Sequence, residues 1–167
     1  MPTPYERLGL RTFINARGTI TTLGGSIMPD EVVQAMVEAS RNFVHLNELH
    51  EKAGARIAEL TSAEGAFISA GAASGLLLAG AACLTGTDAQ AIANLPNIGD
   101  RRNEFVISLV DSHYYVHQGF CVAGGTLRKI GSKDAVTLEN YVEAIGPKTA
   151  AVVYFLGSQP IEDLPAI

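Results

Sequence analysis

The chain has 167 residues, 47% hydrophobic and 17% charged, with a formal net charge of −5 at neutral pH. That length and balance suit a domain with a sizeable core and exclude a disordered chain, while the acidic charge argues against a general nucleic-acid binder, with Arg101-Arg102 as a local basic pair. No apolar run is long enough to span a bilayer and the first residues show no signal segment, so the expected compartment is the cytoplasm and no membrane partner is expected.

The first 29 residues alternate turn formers with short apolar pieces and read as an arm. Asp30 after Pro29, followed by Val32, Val33, Met36 and Val37, predicts a helix from 30 to about 41. Leu46, Leu49, Ala53, Ile57 and Leu60 predict a second helix ending near 61, with His45 and His50 pointing to different sides at its surface. A strand over 65–69, a small-residue turn and a helix over 72–84 follow, then a polar connection through Pro96, Gly99 and Asp100. Strands over 105–110, 126–130 and 150–156 alternate with helices over 114–123 and 138–145. Alternating units with nearly continuous apolar strands indicate an α/β fold, a mostly parallel sheet with helices on both faces. Cys83 and Cys121 lie inside the apolar helices, without metal or disulfide spacing, and read as core thiols. The last stretch, 160–167, has the composition of a loop entering another helix, so the chain reads as interrupted, with one sheet face partly uncovered.

Two segments carry candidate chemistry. Gly71, Ala72, Ala73 and Ser74 bring almost no side chain to a helix start, so their amides can approach an anion at the positive end of the helix dipole, which suits a phosphate. Close packing alone would also explain such small residues, and the stretch matches neither a P-loop nor a GxGxxG fingerprint. Asp111-Ser-His-Tyr-Tyr-Val-His-Gln118 directly follows a strand, at the carboxyl end where ligands sit in open α/β sheets. His113 could stack on a planar ring or move a proton; the bland alternative is a solvated helix start capped by Asp111 or Ser112. His117 falls four residues later on the same helical face, a weak metal pair without a third ligand, so no metal site is expected.

Taken in order, Ile14-Asn-Ala-Arg-Gly-Thr19, Leu23-Gly-Gly-Ser26, Glu31-Val32, Ala35-Met36, Ile57-Ala-Glu-Leu-Thr61, Ser69-Ala-Gly-Ala-Ala73 and Leu84-Thr-Gly-Thr-Asp88 resemble the selenocysteine-synthase-like group of pyridoxal-phosphate enzymes. That group holds L-seryl-tRNA(Sec) selenium transferase and the D-glucosaminate-6-phosphate ammonia-lyases, and the Leu-Gly-Gly-Ser segment resembles the latter branch more closely. The resemblance implies a fold-type-I, aminotransferase-like large domain: an arm over 1–29, and over 30–167 the N-terminal part of a pyridoxal-phosphate domain, incomplete at its C-terminus. It implies that Gly71, Ala72, Ala73 and Ser74 hold the cofactor phosphate and that His113, with Tyr114 second, lies against the pyridine ring. The family's catalytic lysine lies beyond residue 167; Lys52, Lys129, Lys133 and Lys148 stand in other contexts, so no catalytic residue is assigned. The implied activity is that of a lyase or transferase performing β-elimination on an amino-acid or amino-sugar-acid substrate, as a homo-oligomer when complete, with tRNA a partner only for a true selenium transferase. Alone, the chain is expected to be inactive. The same residues also fit a non-catalytic remnant that associates with a full-length homologue, or an unrelated α/β phosphate-binding module.

Overall fold

The computed structural model describes residues 2–166, which fall into two compact units, one running to Lys52 and the other starting at Ala53. In the first unit, a short helix α1 (Pro4–Arg7) is closed by a reciprocal cap, the Thr3 hydroxyl accepting from the Glu6 amide and the Glu6 carboxylate from the Thr3 amide. The Asn15 side chain builds the next turn, donating to the Gly18 carbonyl at 2.7 Å and accepting from the Arg17 amide at 2.9 Å. That gives the Asn-Ala-Arg-Gly stretch a local physical role. Helix α2 (Asp30–Ala39) begins as its two leading carboxylates indicate, and it buries none of its residues: Val32, Val33, Met36 and Val37 are 39–56% exposed.

Helix α3 (Leu46–Thr61) has the expected bounds and carries the chain into the second unit, where Gly54 and Ala58 are buried. His50 is half-buried, not a surface residue as its spacing suggested. The expected strand at 65–69 joins no strand ladder among the described residues. Its seat is α3: a Cβ on Gly54 would collide with the Ala66 carbonyl oxygen, so the segment lies against a helix face that only a glycine leaves open. Helix α4 (Ala72–Thr85) follows. The polar connection after it contains an unforeseen helix, α5 (Ala89–Asn94), started by Asp88, whose carboxylate accepts from the amides of Gln90 and Ala91 and pairs with Arg101.

Three parallel strands make the sheet in the order β2-β1-β3: β1 (Glu104–Ser108), β2 (Thr126–Ile130) and β3 (Thr149–Val153). Helices α6 (Tyr114–Val122) and α7 (Leu138–Ala144) form the crossovers. β1 is the buried centre, and its side chains alternate between two layers. Phe105 and Ile107 pack with Leu84 of α4 and with Val116 and Phe120 of α6; Val106 packs on the other face with Tyr141 and Ala144 of α7. The α/β class, the parallel sheet and the helices on both faces are therefore as the sequence indicated. β1 and β3 end earlier than their apolar runs do, because pairing in this parallel sheet stops at Ser108 and Val153. Both cysteines are exposed, against the expectation of core thiols. Cys83 and Cys121 each sit one position away from the inward-facing residues Leu84 and Phe120, about 100° around the helix. No helix among the described residues is long and apolar enough to cross a membrane.

Candidate functional site

The segment after residue 69 turns sharply at Gly71, whose φ of 153° and ψ of 176° lie in a region essentially reserved for glycine. Its carbonyl oxygen gathers three donors: the Ser69 hydroxyl at 3.0 Å, the Ser74 hydroxyl at 2.8 Å and the Gly75 amide at 2.9 Å. With that carbonyl drawn into the helix, the amides of Ala72, Ala73 and Ser74 stand at the open start of α4, where no intrahelical acceptor exists. Gly71, Ala72 and Ala73 are exposed, and a Cβ built on Gly71 would meet no atom within 4 Å. The geometry is therefore a glycine turn opening onto a helix start whose first amides have no intrahelical acceptor.

The second segment leaves the carboxyl end of β1. Asp111 does not cap α6; the cap position is His113, and the Asp111 carboxylate reaches forward to it. Asp111 Oδ1 accepts from the His113 amide at 2.8 Å and faces His113 Nδ1 at 2.6 Å, while Oδ2 accepts from the Ser158 hydroxyl at 3.2 Å. Burial works to raise this carboxyl, but the donors from His113 and Ser158 outweigh it and hold the group below the usual carboxylate range. His113 and Tyr114 are both exposed, and the Tyr115 ring meets His113 edge-on at 5.7 Å. His117 behaves differently from His113. It is buried, stacks on Phe155 with ring centres 6.3 Å apart, and its Nε2 has no hydrogen-bond partner among the described residues. Burial, reinforced by the nearby Lys129 charge, pushes its pKa below the ordinary histidine value, so the ring is neutral at pH 7. Among the described residues no three His, Cys, Asp or Glu side chains gather as a metal cluster.

Packing between α4 and α6 relates the two segments. Gly119 sits on Leu76 and Gly80 on Phe120 and Ala123, so the helices run in the same direction and start at the same end. Gly71, Ala72, Ala73 and Ser74 thus share that end with His113 and Tyr114. Behind them lies an arrangement that the sequence did not disclose. Gln159, in the loop after β3, accepts at Oε1 from the Ser108 hydroxyl and the Phe155 amide, both at 3.2 Å, and donates from Nε2 to the Tyr141 hydroxyl at 2.8 Å. Ser158 and Gln159 tie that loop to the end of β1, and no sequence signal marks partners 47 and 51 positions away. The four lysines are all exposed, with Lys52 paired to Glu48 and Lys133 to Asp134.

Comparison with known proteins bears on the motifs. No protein-family model matches the chain. It is 35% identical over 156 residues to D-glucosaminate-6-phosphate ammonia lyase of Salmonella typhimurium, covering 92% of this chain and 42% of that protein. A solved structure of D-glucosaminate-6-phosphate ammonia-lyase superposes with a TM-score of 0.85 at 35% identity, over the same shares of the two chains. The resemblance read from the motifs holds. L-seryl-tRNA(Sec) selenium transferase of Desulfomicrobium baculatum matches at 27% over 156 residues, 89% of this chain and 32% of that one. A third relative is the 5'-C-glycyluridine monooxygenase-decarboxylase of a Streptomyces species, 34% identical over 154 residues, 90% of this chain and 39% of that one. The chain therefore spans about two fifths of the length of the first two curated relatives it matches.

Proposed function

We propose that this chain supplies the phosphate-holding and ring-facing part of a pyridoxal-phosphate-dependent lyase or transferase acting on an amino-acid-type substrate. The observation that carries the reading is the Gly71 turn: a glycine-only conformation opening onto three amides at the start of a long helix, in a chain that superposes on an ammonia-lyase. The amides of Ala72, Ala73 and Ser74 would bind the cofactor phosphate, and the α4 dipole would favour its negative charge. His113 would lie against the ring and Tyr114 would offer the second contact. When bound, pyridoxal phosphate supplies an electron-withdrawing ring that stabilises negative charge on the substrate carbon bearing the amine. The names of the three relatives share that substrate element, a seryl, a glycyl or an aminosugar-acid group, which supports an amino-acid or amino-sugar-acid substrate here. The exposed lysines of this chain stay solvated, so by itself it turns no substrate over. The apolar stripe of α2 supports association with a second copy in the complete protein, and the cytoplasm is the proposed setting.

Titrating the isotope-labelled chain with pyridoxal phosphate and, separately, with inorganic phosphate tests this. Both should shift the amides of Ala72, Ala73 and Ser74, and the cofactor should bind more tightly and also move the His113 ring resonances. Silent amides at 72–74 would overturn the reading. Equal affinity for the two ligands, with His113 unmoved, would favour a plain phosphate-binding module.

A further inference from the structure

We infer that Asp111, braced by Ser158, is the positioning residue of His113: it decides which ring nitrogen carries the proton and in which plane the ring is presented. The consequence for the cofactor rests on the proposed ring contact; the positioning itself is a property of the free chain. The Asp111 side chain is 11% exposed and that of His113 62%, so a nearly buried carboxylate anchors an open ring. One oxygen, Oδ1, takes both the His113 amide and the His113 ring nitrogen, which ties the main chain and the side chain of the same residue to a single point. The other oxygen is occupied by the Ser158 hydroxyl from the loop after β3, which leaves the carboxylate little freedom to turn.

The chemistry follows from the acceptor. An ionised carboxylate only accepts hydrogen bonds, so the nitrogen facing it, Nδ1, must carry the hydrogen. In the neutral ring Nε2 is then left as an acceptor, the reverse of the form that a free histidine side chain favours. Tyr115 meets the ring edge-on, with ring centres 5.7 Å apart. A residue serving only to shape the loop would need the bond to the His113 amide and would leave the ring tautomer to solvent. The tautomer therefore separates positioning from a merely structural role.

Long-range nitrogen–proton correlation spectra of the 167-residue chain, recorded at about pH 8, where an ordinary histidine is neutral, read the tautomer directly. The expected result is a predominantly Nδ1–H ring for His113, retained in Asp111→Asn, which keeps an acceptor oxygen, and lost in Asp111→Ala. Ser158→Ala, which removes the hydrogen bond to Asp111 Oδ2, should reduce the Nδ1–H share and weaken pyridoxal-phosphate binding by about 2- to 10-fold, as loss of one hydrogen bond does. An Nε2–H ring in the unaltered chain, or a tautomer indifferent to Asp111→Ala, overturns the inference. In the cofactor titration, Asp111→Ala and His113→Ala should weaken binding alike, and the double variant no further. A fixed Nδ1–H tautomer combined with cofactor affinity indifferent to both substitutions would refute the ring contact and leave the positioning role standing.

Discussion

Two stretches of this chain carry nearly the same message, Gly-Ala-Phe-Ile-Ser at 65–69 and Glu-Phe-Val-Ile-Ser at 104–108, and they meet different fates. Each is a short apolar run ending in serine, and each leads into a turn and a helix. The second is the central strand of the sheet, with Phe105, Val106 and Ile107 fully buried between two neighbours. The first lies against α3 with no ladder, and Phe67 is 69% exposed. The two runs are alike in composition; the neighbours decide which becomes a strand with a buried face.

The largest expected effect tests that difference directly. Phe105→Ala should cost about 3–5 kcal/mol, because it removes a buried ring stacked at 4.7 Å on Phe120, whereas Phe67→Ala should cost less than about 0.5 kcal/mol. Equilibrium denaturation of the two variants measures both, and comparable losses would break the contrast. Gly54→Ala sharpens it by asking how the unpaired segment is held. The added methyl meets the Ala66 carbonyl, part of the main chain and unable to swing aside, so a loss of about 1–3 kcal/mol is expected, with faster amide exchange over 65–69. Unchanged exchange there would show that α3 is not the seat. At the end of the same segment, Gly71→Ala should cost about 1–3 kcal/mol from backbone conformation alone, since the new methyl would meet no atom within 4 Å. Gly65→Ala, equally uncrowded and without a positive φ, is the control and should be nearly silent.

The smallest effect is one of pH and belongs to the β1 side. Above the ordinary histidine value of 6.5, His117 is neutral whether folded or unfolded and contributes nothing to the pH dependence. Below it the unfolded chain takes up a proton that the folded chain refuses, because the folded value is lowered. Stability must then fall with acidification, by at most about 1.4 kcal/mol per pH unit until the folded value is reached. Urea midpoints between about pH 5 and 6.5 should fall less steeply for His117→Gln than for the unaltered chain. Identical slopes would show that burial does not suppress the charge of this ring.

Elements with one clear period were legible from sequence. The bounds of α3 and β2 match their readings, and α2 falls two residues short of its own, because apolar spacing and the Asp30 start leave few alternatives. Helix α5 was missed since six residues give no period; its one signal was Asp88, which accepts from the first amides of that helix. Cys83 was misjudged for a related reason: α4 is apolar nearly all round, so no stripe distinguishes the side that meets the sheet from the side that does not. At the candidate site, the Gly71 turn could be read because small residues at a helix start are a local pattern. Ser158 and Gln159 could not, because their partners are distant in the chain and serine and glutamine in a loop fit many environments.

The Gln159 amide has a consequence for how the molecule would age. Its nitrogen donates to a phenol whose residue is only 1% exposed, and its oxygen accepts from the fully buried Ser108 and from a main-chain amide, so both halves of the group are in use. Deamidation would leave the oxygen's donors satisfied, the Tyr141 hydroxyl at 3.1 Å among them, delete the hydrogen that the side chain gives to Tyr141, and set a negative charge beside the fully buried end of β1. A one-dalton change on a surface-facing glutamine passes unnoticed; here it would strike the junction at which the centre of the sheet, helix α7 and the loop holding Asp111 meet.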